Sequence, residues 1–339
     1  MKSLPKALII GWLFAASWET PLARADESES RGNESPSSQS VRSGPVLQRN
    51  ALTDTAQASE TTPASQGPNR EWGFFRSWSR MAERTEAEQP DWLSPIATTS
   101  GRLKQEFRYD VWRQDTRSGE TDYTLGAGKG LEFIVAPRLE LMIGVPSYVV
   151  HTPALERSEG PSGSVPFVQG RPRDGFGDTP LMLKVRLASA APKEGNYLVT
   201  LLLSATAPTG SHAVGMHHAV LSPGIALGKG WGKFDVQSTL GVNLPTGDIA
   251  GLGRQFLSNT AFQYRAASKL WPEFEVNSTS FLAGKNAGET QAFLTPGLGF
   301  GRVHLGGRWR FSAAAGLQIA ATHFHTYNHR WMFSVRFNF

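Results

Sequence analysis

The chain has 339 residues, a formal net charge of +5, no cysteine, 35 glycines, 10% aromatic residues and a mean hydropathy of −0.29. A charge this small does not argue for a nucleic-acid partner, and the lack of cysteine leaves neither a lipoprotein anchor nor a disulfide framework. A helical membrane protein is excluded because no stretch past the first 25 residues is long and apolar enough, but a transmembrane β-barrel survives, since alternating polar and apolar residues cancel in a hydropathy average.

In chain order, Lys2 and Lys6, the apolar run Ala7 to Ala16 and the small-residue site Ala23-Arg24-Ala25 predict a secretory signal over residues 1–25. Residues 26 to about 70 are rich in Ser, Glu, Gln, Pro, Thr and Asn and are expected to be disordered. Over residues 71–88, Trp72, Phe75, Trp78, Met81 and Ala82 recur at helical spacing between Arg76, Arg80, Glu83, Arg84 and Glu86, until Pro90 and Pro95 stop the pattern. This predicts one amphipathic helix, which would pack on a barrel mouth, enter the lumen as a plug, lie on a membrane surface or act as a spacer. Residues 26–100 are thus read as a low-complexity periplasmic extension.

From residue 101 to 339, runs with period-2 alternation separated by turn residues predict an all-β, up-and-down antiparallel barrel of about twelve strands. The strands are placed near 102–114, 121–136, 138–150, 175–189, 196–208, 219–229, 233–246, 256–268, 272–283, 290–302, 307–321 and 329–339. The even links are short: Ala136-Pro137-Arg138, Ala190 to Gly195, Gly230-Trp231-Gly232, Lys269-Leu270-Trp271 and His304-Leu305-Gly306. Among the odd links, His151 to Asp174 is long and polar. That parity suits short periplasmic turns and longer outer loops, and predicts the outer membrane of a Gram-negative bacterium. Alternation then sends Leu181, Leu183, Val185 and Leu187 to lipid, with Met182, Lys184 and Arg186 inward. It also sends Phe274, Val276 and Leu282 outward, with Glu273, Glu275, Asn277 and Thr279 inward.

The last strand carries Trp331, Phe333, Val335, Phe337 and the terminal Phe339 on one apolar face, opposite Met332, Ser334, Arg336 and Asn338. A closing strand that ends in Phe resembles the assembly signal of outer-membrane barrels. It implies partnership with periplasmic chaperones, the barrel-assembly machinery and outer-membrane lipid. Gly175-Phe176-Gly177-Asp178 leads into Leu181-Met182-Leu183-Lys184-Val185-Arg186-Leu187, and two strands end in Ala207-Pro208-Thr209-Gly210 and Leu244-Pro245-Thr246-Gly247-Asp248. With Leu139 to Tyr148, this combination over residues 101–339 resembles the outer-membrane barrel family named for the meta-pathway of phenol degradation. Members of that family are often called transporters. The resemblance implies uptake of small, aromatic or apolar compounds.

Gly175, Gly177 and Asp178 read as a bend at the re-entry to the barrel rather than a phosphate loop, since neither a helix nor a Lys-Ser/Thr pair follows. His212, His217 and His218 share one outer link, and His323, His325 and His329 surround another. Without cysteine or a compact carboxylate partner they read as loop histidines, and no metal or cofactor is expected. An outer-membrane lipase would need a Ser–His pair; Ser211, His212 and Ser222 are the nearest groups, and adjacent strand residues face opposite ways. What remains is the lumen. Lys104, Arg108, Lys184, Arg186, Arg308, Arg310 and Arg336 are assigned inward, facing Glu106, Asp110, Glu132, Asp235, Glu273 and Glu275. The expectation is a passive channel or transporter for a small-molecule solute, without catalytic chemistry. Its rival is a structural or adhesive barrel with a plugged lumen.

Overall fold

The computed structural model describes residues 69–127, 129–153, 156–157, 167–168 and 174–339, so the expected signal and most of the low-complexity tract lie outside the described residues. Twelve strands form one antiparallel sheet that closes on itself. They are β1 (Glu106–Thr116), β2 (Thr121–Leu125 and Gly130–Ala136), β3 (Leu139–Gly144 and Tyr148–Thr152), β4 (Gly175–Phe176 and Thr179–Ala190), β5 (Tyr197–Ala207) and β6 (Val220–Trp231). They continue as β7 (Phe234–Pro245), β8 (Gln255–Tyr264), β9 (Leu270–Phe281), β10 (Thr290–Gly306), β11 (Trp309–Ala320) and β12 (Tyr327–Asn338). Each strand pairs with the next, and β12 closes on β1 from Glu106 opposite Asn338 to Asp115 opposite His329. A helix, α1 (Asn69–Ala87), precedes the barrel, and a one-turn helix, α2 (Ile249–Leu252), lies between β7 and β8.

The expected barrel is therefore the observed fold, with three local departures. First, β2, β3 and β4 are each interrupted. Leu125 stands opposite Val111 but Leu131 opposite Phe107, so β2 has more residues than β1 can pair, and the surplus loops out at Gly126, whose φ is +88°. The ladder stays bonded across the break through Val145 N–H to Lys129 O (2.7 Å) and Gly177 N–H to Ser147 O (2.6 Å). Second, β1 starts at Glu106 rather than near 102, because the backbone of Leu103, Lys104 and Gln105 is taken by side chains inside the barrel. Third, β10 carries two register shifts, at Gly301/Val303 and His304/Gly306, and runs on to Gly306. The tenth link is Gly307-Arg308 instead of His304-Leu305-Gly306.

The short links gather at one end with β1's start and β12's end, while the longer links stand at the other. The outer surface follows from alternation. Leu131, Leu181, Leu203, Leu227, Leu298 and Phe333 are exposed around the wall. Aromatic residues mark both rims: Trp231 beside Phe234 and Trp309 beside Phe339 at the short-turn end, and Tyr148 against Phe176 toward the other. No helix among the described residues is long and apolar enough to cross a membrane, which leaves the crossing to strands.

Candidate functional site

The barrel interior is occupied. After α1 the chain enters the lumen, and Trp92, Leu93, Ser94, Ile96, Thr98, Ser100 and Leu103 are all buried there. At the short-turn mouth, Ala82 and Met81 of α1 pack on Leu103 and Ile134, and Trp78 Nε1 donates to Ile134 O at 2.7 Å. The Arg186 guanidinium closes the helix end, donating to Thr85 O (2.7 Å) and Pro137 O (2.9 Å) and pairing with Glu88 (2.8 Å). Gln89 folds back to staple the segment to itself, its amide donating to Leu103 O and its carbonyl accepting from Leu103 N–H.

Deeper in, two walls read the two sides of the segment's main chain. From β1 and β12, Arg108 donates to Pro95 O (3.1 Å) and Ile96 O (2.6 Å), and Arg336 donates to Pro95 O (3.0 Å) and Ser94 O. From β9, Glu273 accepts Ile96 N–H (2.8 Å), while Glu275 accepts Ala97 N–H (2.7 Å) and Thr98 N–H (2.6 Å). Gln237 Nε2 donates to Leu93 O, Thr239 to Thr99 O and Thr200 to Gly101 O. An unpaired peptide group buried away from water is costly, and charge-assisted hydrogen bonds are the strong ones, so wall and segment satisfy each other.

Side chains of the segment enter sockets that inward glycines leave in the wall. A Cβ added at Gly228 would meet Trp92, at Gly299 Leu93, and at Gly297 Ile96. Ile96 also joins Met332 and Ala314 in a buried apolar cluster with Trp112 and Ala97 against it.

Most of the residues assigned inward from sequence are placed in this arrangement. Lys104, Glu106, Glu132 and Lys184 form one buried ionic group, with Lys104 to Glu106 at 2.9 Å and Lys184 to Glu132 at 2.9 Å and to Glu140 at 2.7 Å. Arg108 also pairs with Asp110 at 2.8 Å, and Asp235 accepts from Gln237. Arg308 and Arg310 stand apart. The extension of β10 puts Arg308 in the tenth link, paired with Glu83 of α1 at 3.0 Å, and Arg310 is exposed at the same rim. Of Arg308, Arg310 and Arg336, all assigned inward, only Arg336 stands in the lumen, beside Arg108. Glu140 and Arg302 were not assigned inward from sequence, yet Glu140 holds Lys104 N–H and Arg302 donates to Asp91 O and Trp92 O. The inward alternation Gly297, Gly299, Gly301 and the pair Gly228, Gly230 was the available signal that something other than wall fills the space.

Asp178 accepts Gly210 N–H (2.7 Å) and Met216 N–H (2.8 Å), so the Gly-Phe-Gly-Asp element ties down the link between β5 and β6. Ser211 donates to Phe176 O and Ser222 to Asn243, while the His212 ring lies tilted beside that of His217, 5.1 Å between centroids. Among the described residues no three His, Cys, Asp or Glu side chains gather as a metal site.

A closed barrel that is apolar outside, ringed by aromatic residues and charged within suits only a bilayer crossed by strands. The chain is an outer-membrane β-barrel. No protein-family model matches it, and no curated protein is similar to it in sequence. Solved structures with some likeness include an outer membrane channel from Pseudomonas putida F1, at 14% identity over 69% of this chain and 94% of that one, with a TM-score of 0.45. The NanC porin matches at 8% identity over 68% of this chain and 98% of that one, with a TM-score of 0.40. Outer membrane phospholipase A from Escherichia coli matches at 13% identity over 68% and 92%, with a TM-score of 0.31. These likenesses concern barrel architecture alone. The expectation that catalytic chemistry is absent does not stand: the solved barrels with some likeness to this chain include a phospholipase, and a fold by itself excludes no enzyme.

Proposed function

We propose that this outer-membrane barrel is a channel for passive movement of small solutes, closed by residues 88–105 and opened when that segment leaves the lumen. One observation carries the reading. The inward charges Arg108, Arg336, Glu273 and Glu275 are satisfied by the main chain of a segment that is not part of the wall. A barrel serving only as a solid body can fill itself with strand side chains paired to one another. Here, withdrawal of one segment would expose a passage lined by Arg108, Lys184, Arg186 and Arg336 with Glu106, Asp110, Glu273 and Glu275. Rings of such charge set ion preference in pores. The glycine sockets of Trp92, Leu93 and Ile96 would form an apolar strip, suited to the aromatic or apolar solutes implied by the resemblance to the phenol meta-pathway family.

A second reading, a structural barrel with a permanent plug, is favoured by the number of bonds that hold the segment. The two are separated without truncation. Thr98 Oγ1 and Asn277 Nδ2 approach to 3.4 Å, and the chain has no cysteine of its own. In the double variant Thr98→Cys with Asn277→Cys, planar-bilayer recordings are expected to show openings when reduced and none when oxidised. Equal conductance in both states would show that the segment is not the gate, and silence in both would favour the permanent plug.

A further inference from the structure

Above the clasped segment, toward the long-link end, four side chains from three strands form one stack. The rings of Phe293 on β10 and Tyr327 on β12 lie parallel with centroids 4.2 Å apart and an angle of 11° between them. The Arg330 guanidinium lies over Tyr327, its Cζ 4.1 Å from the ring centroid, and over Trp112 of β1, at 4.5 Å. Gln114 takes one edge of the guanidinium, accepting from Nε at 3.0 Å and from Nη2. Two aromatic rings and one amide thereby hold the guanidinium in place.

No carboxylate of the described residues pairs with that charge. Among the described residues Arg330 forms no ion pair, whereas Arg108, Lys184 and Arg186 each pair with a carboxylate. The nearby acids are engaged elsewhere: Asp115 by His329 (2.6 Å) and Arg113 (3.1 Å), and Asp122 by His151 (2.6 Å). Removing a guanidinium from bulk water without a counter-charge is unfavourable, and cation–π contacts with a neutral amide offset only part of the cost. Arg330 itself is only partly buried. Arg330 is the fourth residue of β12, roughly 10 Å below the outer start of the strand at about 3.3 Å per residue.

We propose that Arg330 is the anchor of an outer-lumen binding site for a small organic carboxylate. The free edge of a guanidinium held flat presents coplanar N–H donors, which match the two oxygens of a carboxylate better than they match a spherical or tetrahedral anion. Trp112 touches both this stack and the apolar cluster around Ile96, so the bound molecule would sit at the head of the luminal segment. In this the proposal deepens the channel reading and rests on it: the carboxylate is a solute waiting at the closed path.

The test is calorimetric titration of the full-length protein in detergent with sodium benzoate, at constant chloride. Benzyl alcohol serves as the uncharged analogue and inorganic phosphate as the tetrahedral anion. Saturable benzoate binding is expected, at least tenfold weaker in Arg330→Gln, partly restored in Arg330→Lys, and absent for benzyl alcohol. Should Arg330→Gln fail to fold, Gln114→Met, which removes only the edge support, is expected to weaken binding several-fold. No saturable binding, binding indifferent to both variants, or phosphate binding as tight as benzoate overturns the proposal. Bilayer recordings keep the two readings apart. Openings without benzoate binding sink this site alone, whereas Arg330-dependent binding by a barrel that never opens sinks the channel and leaves the site standing.

Discussion

At Gly297, Gly299 and Gly228 the missing side chain of the wall is replaced by Ile96, Leu93 and Trp92 of the luminal segment, and any Cβ there would overlap its occupant. Forcing extra volume into a packed site costs about 1–3 kcal/mol, and the segment, unlike the wall, has somewhere to go. Gly297→Val is therefore expected to displace residues around Ile96 while the barrel itself stays intact. Limited proteolysis should cut within residues 88–105 of the variant, with heat-modifiable migration unchanged. Gly73→Ala, where nothing lies within 4 Å of the added carbon, should leave the pattern as in the parent. Cutting that is unchanged in Gly297→Val would mean that the wall yields instead. These glycines were legible as inward strand residues, but their partners were not, since a socket is defined by two chain segments more than a hundred residues apart.

Among the elements, α1 was readable because its apolar residues follow a period close to 3.6, and the observed Asn69–Ala87 agrees with the expected 71–88. The segment that follows was not readable. Residues 88–101 have neither helical nor strand periodicity, and 102–105 were expected in the first strand, whereas the backbone bonds of this stretch go to side chains instead of to a ladder or a turn of helix. The junction of the two elements depends on Arg186, which satisfies Thr85 O and pairs with Glu88. Hydrogen bonds to a charged group contribute about 1.5–3 kcal/mol, so Arg186→Ala should loosen the helix end by that order without opening the barrel. Hydrogen exchange at Met81 to Ala87 is expected to speed up while β5 to β9 remain protected. Unchanged exchange in α1 would show that packing of Ala82 and Met81 alone holds it.

For the molecule as a whole, closure is the decisive event, and it is made by β12 on β1. Phe339 N–H donates to Gln105 O at 3.1 Å, and its ring meets Phe133 at 6.1 Å and Trp309 at 5.6 Å between centroids, bridging the seam. Trp331, Phe333 and Val335 stand exposed on the same outer face. We propose that this face, with Phe337 and Phe339, is what chaperones and the assembly machinery recognise. Deleting Phe339, or making Phe337→Asp with Phe339→Asp, should leave protein misassembled and degraded in the periplasm. Normal amounts of heat-modifiable protein in outer-membrane fractions would defeat that view.

The number of strands, the alternation of short and long links and the outward and inward faces of the wall follow from the sequence alone, since period-2 patterning and turn chemistry are local and repeat in every strand. Lys184, Arg186, Glu273, Glu275 and Arg336 could be assigned inward on that basis. What those charges face could not. Opposite charges on different strands invite the inference of a salt-bridged wall, yet Arg336, Glu273 and Glu275 bond the backbone of a segment whose amide and carbonyl groups leave no mark in composition. Likewise, Arg308 falls in the turn after the lengthened β10 and pairs with Glu83 of α1 instead of facing the lumen. Local alternation determines which way a side chain points; only the closed barrel, by bringing a threaded segment against all its walls at once, decides what that side chain meets.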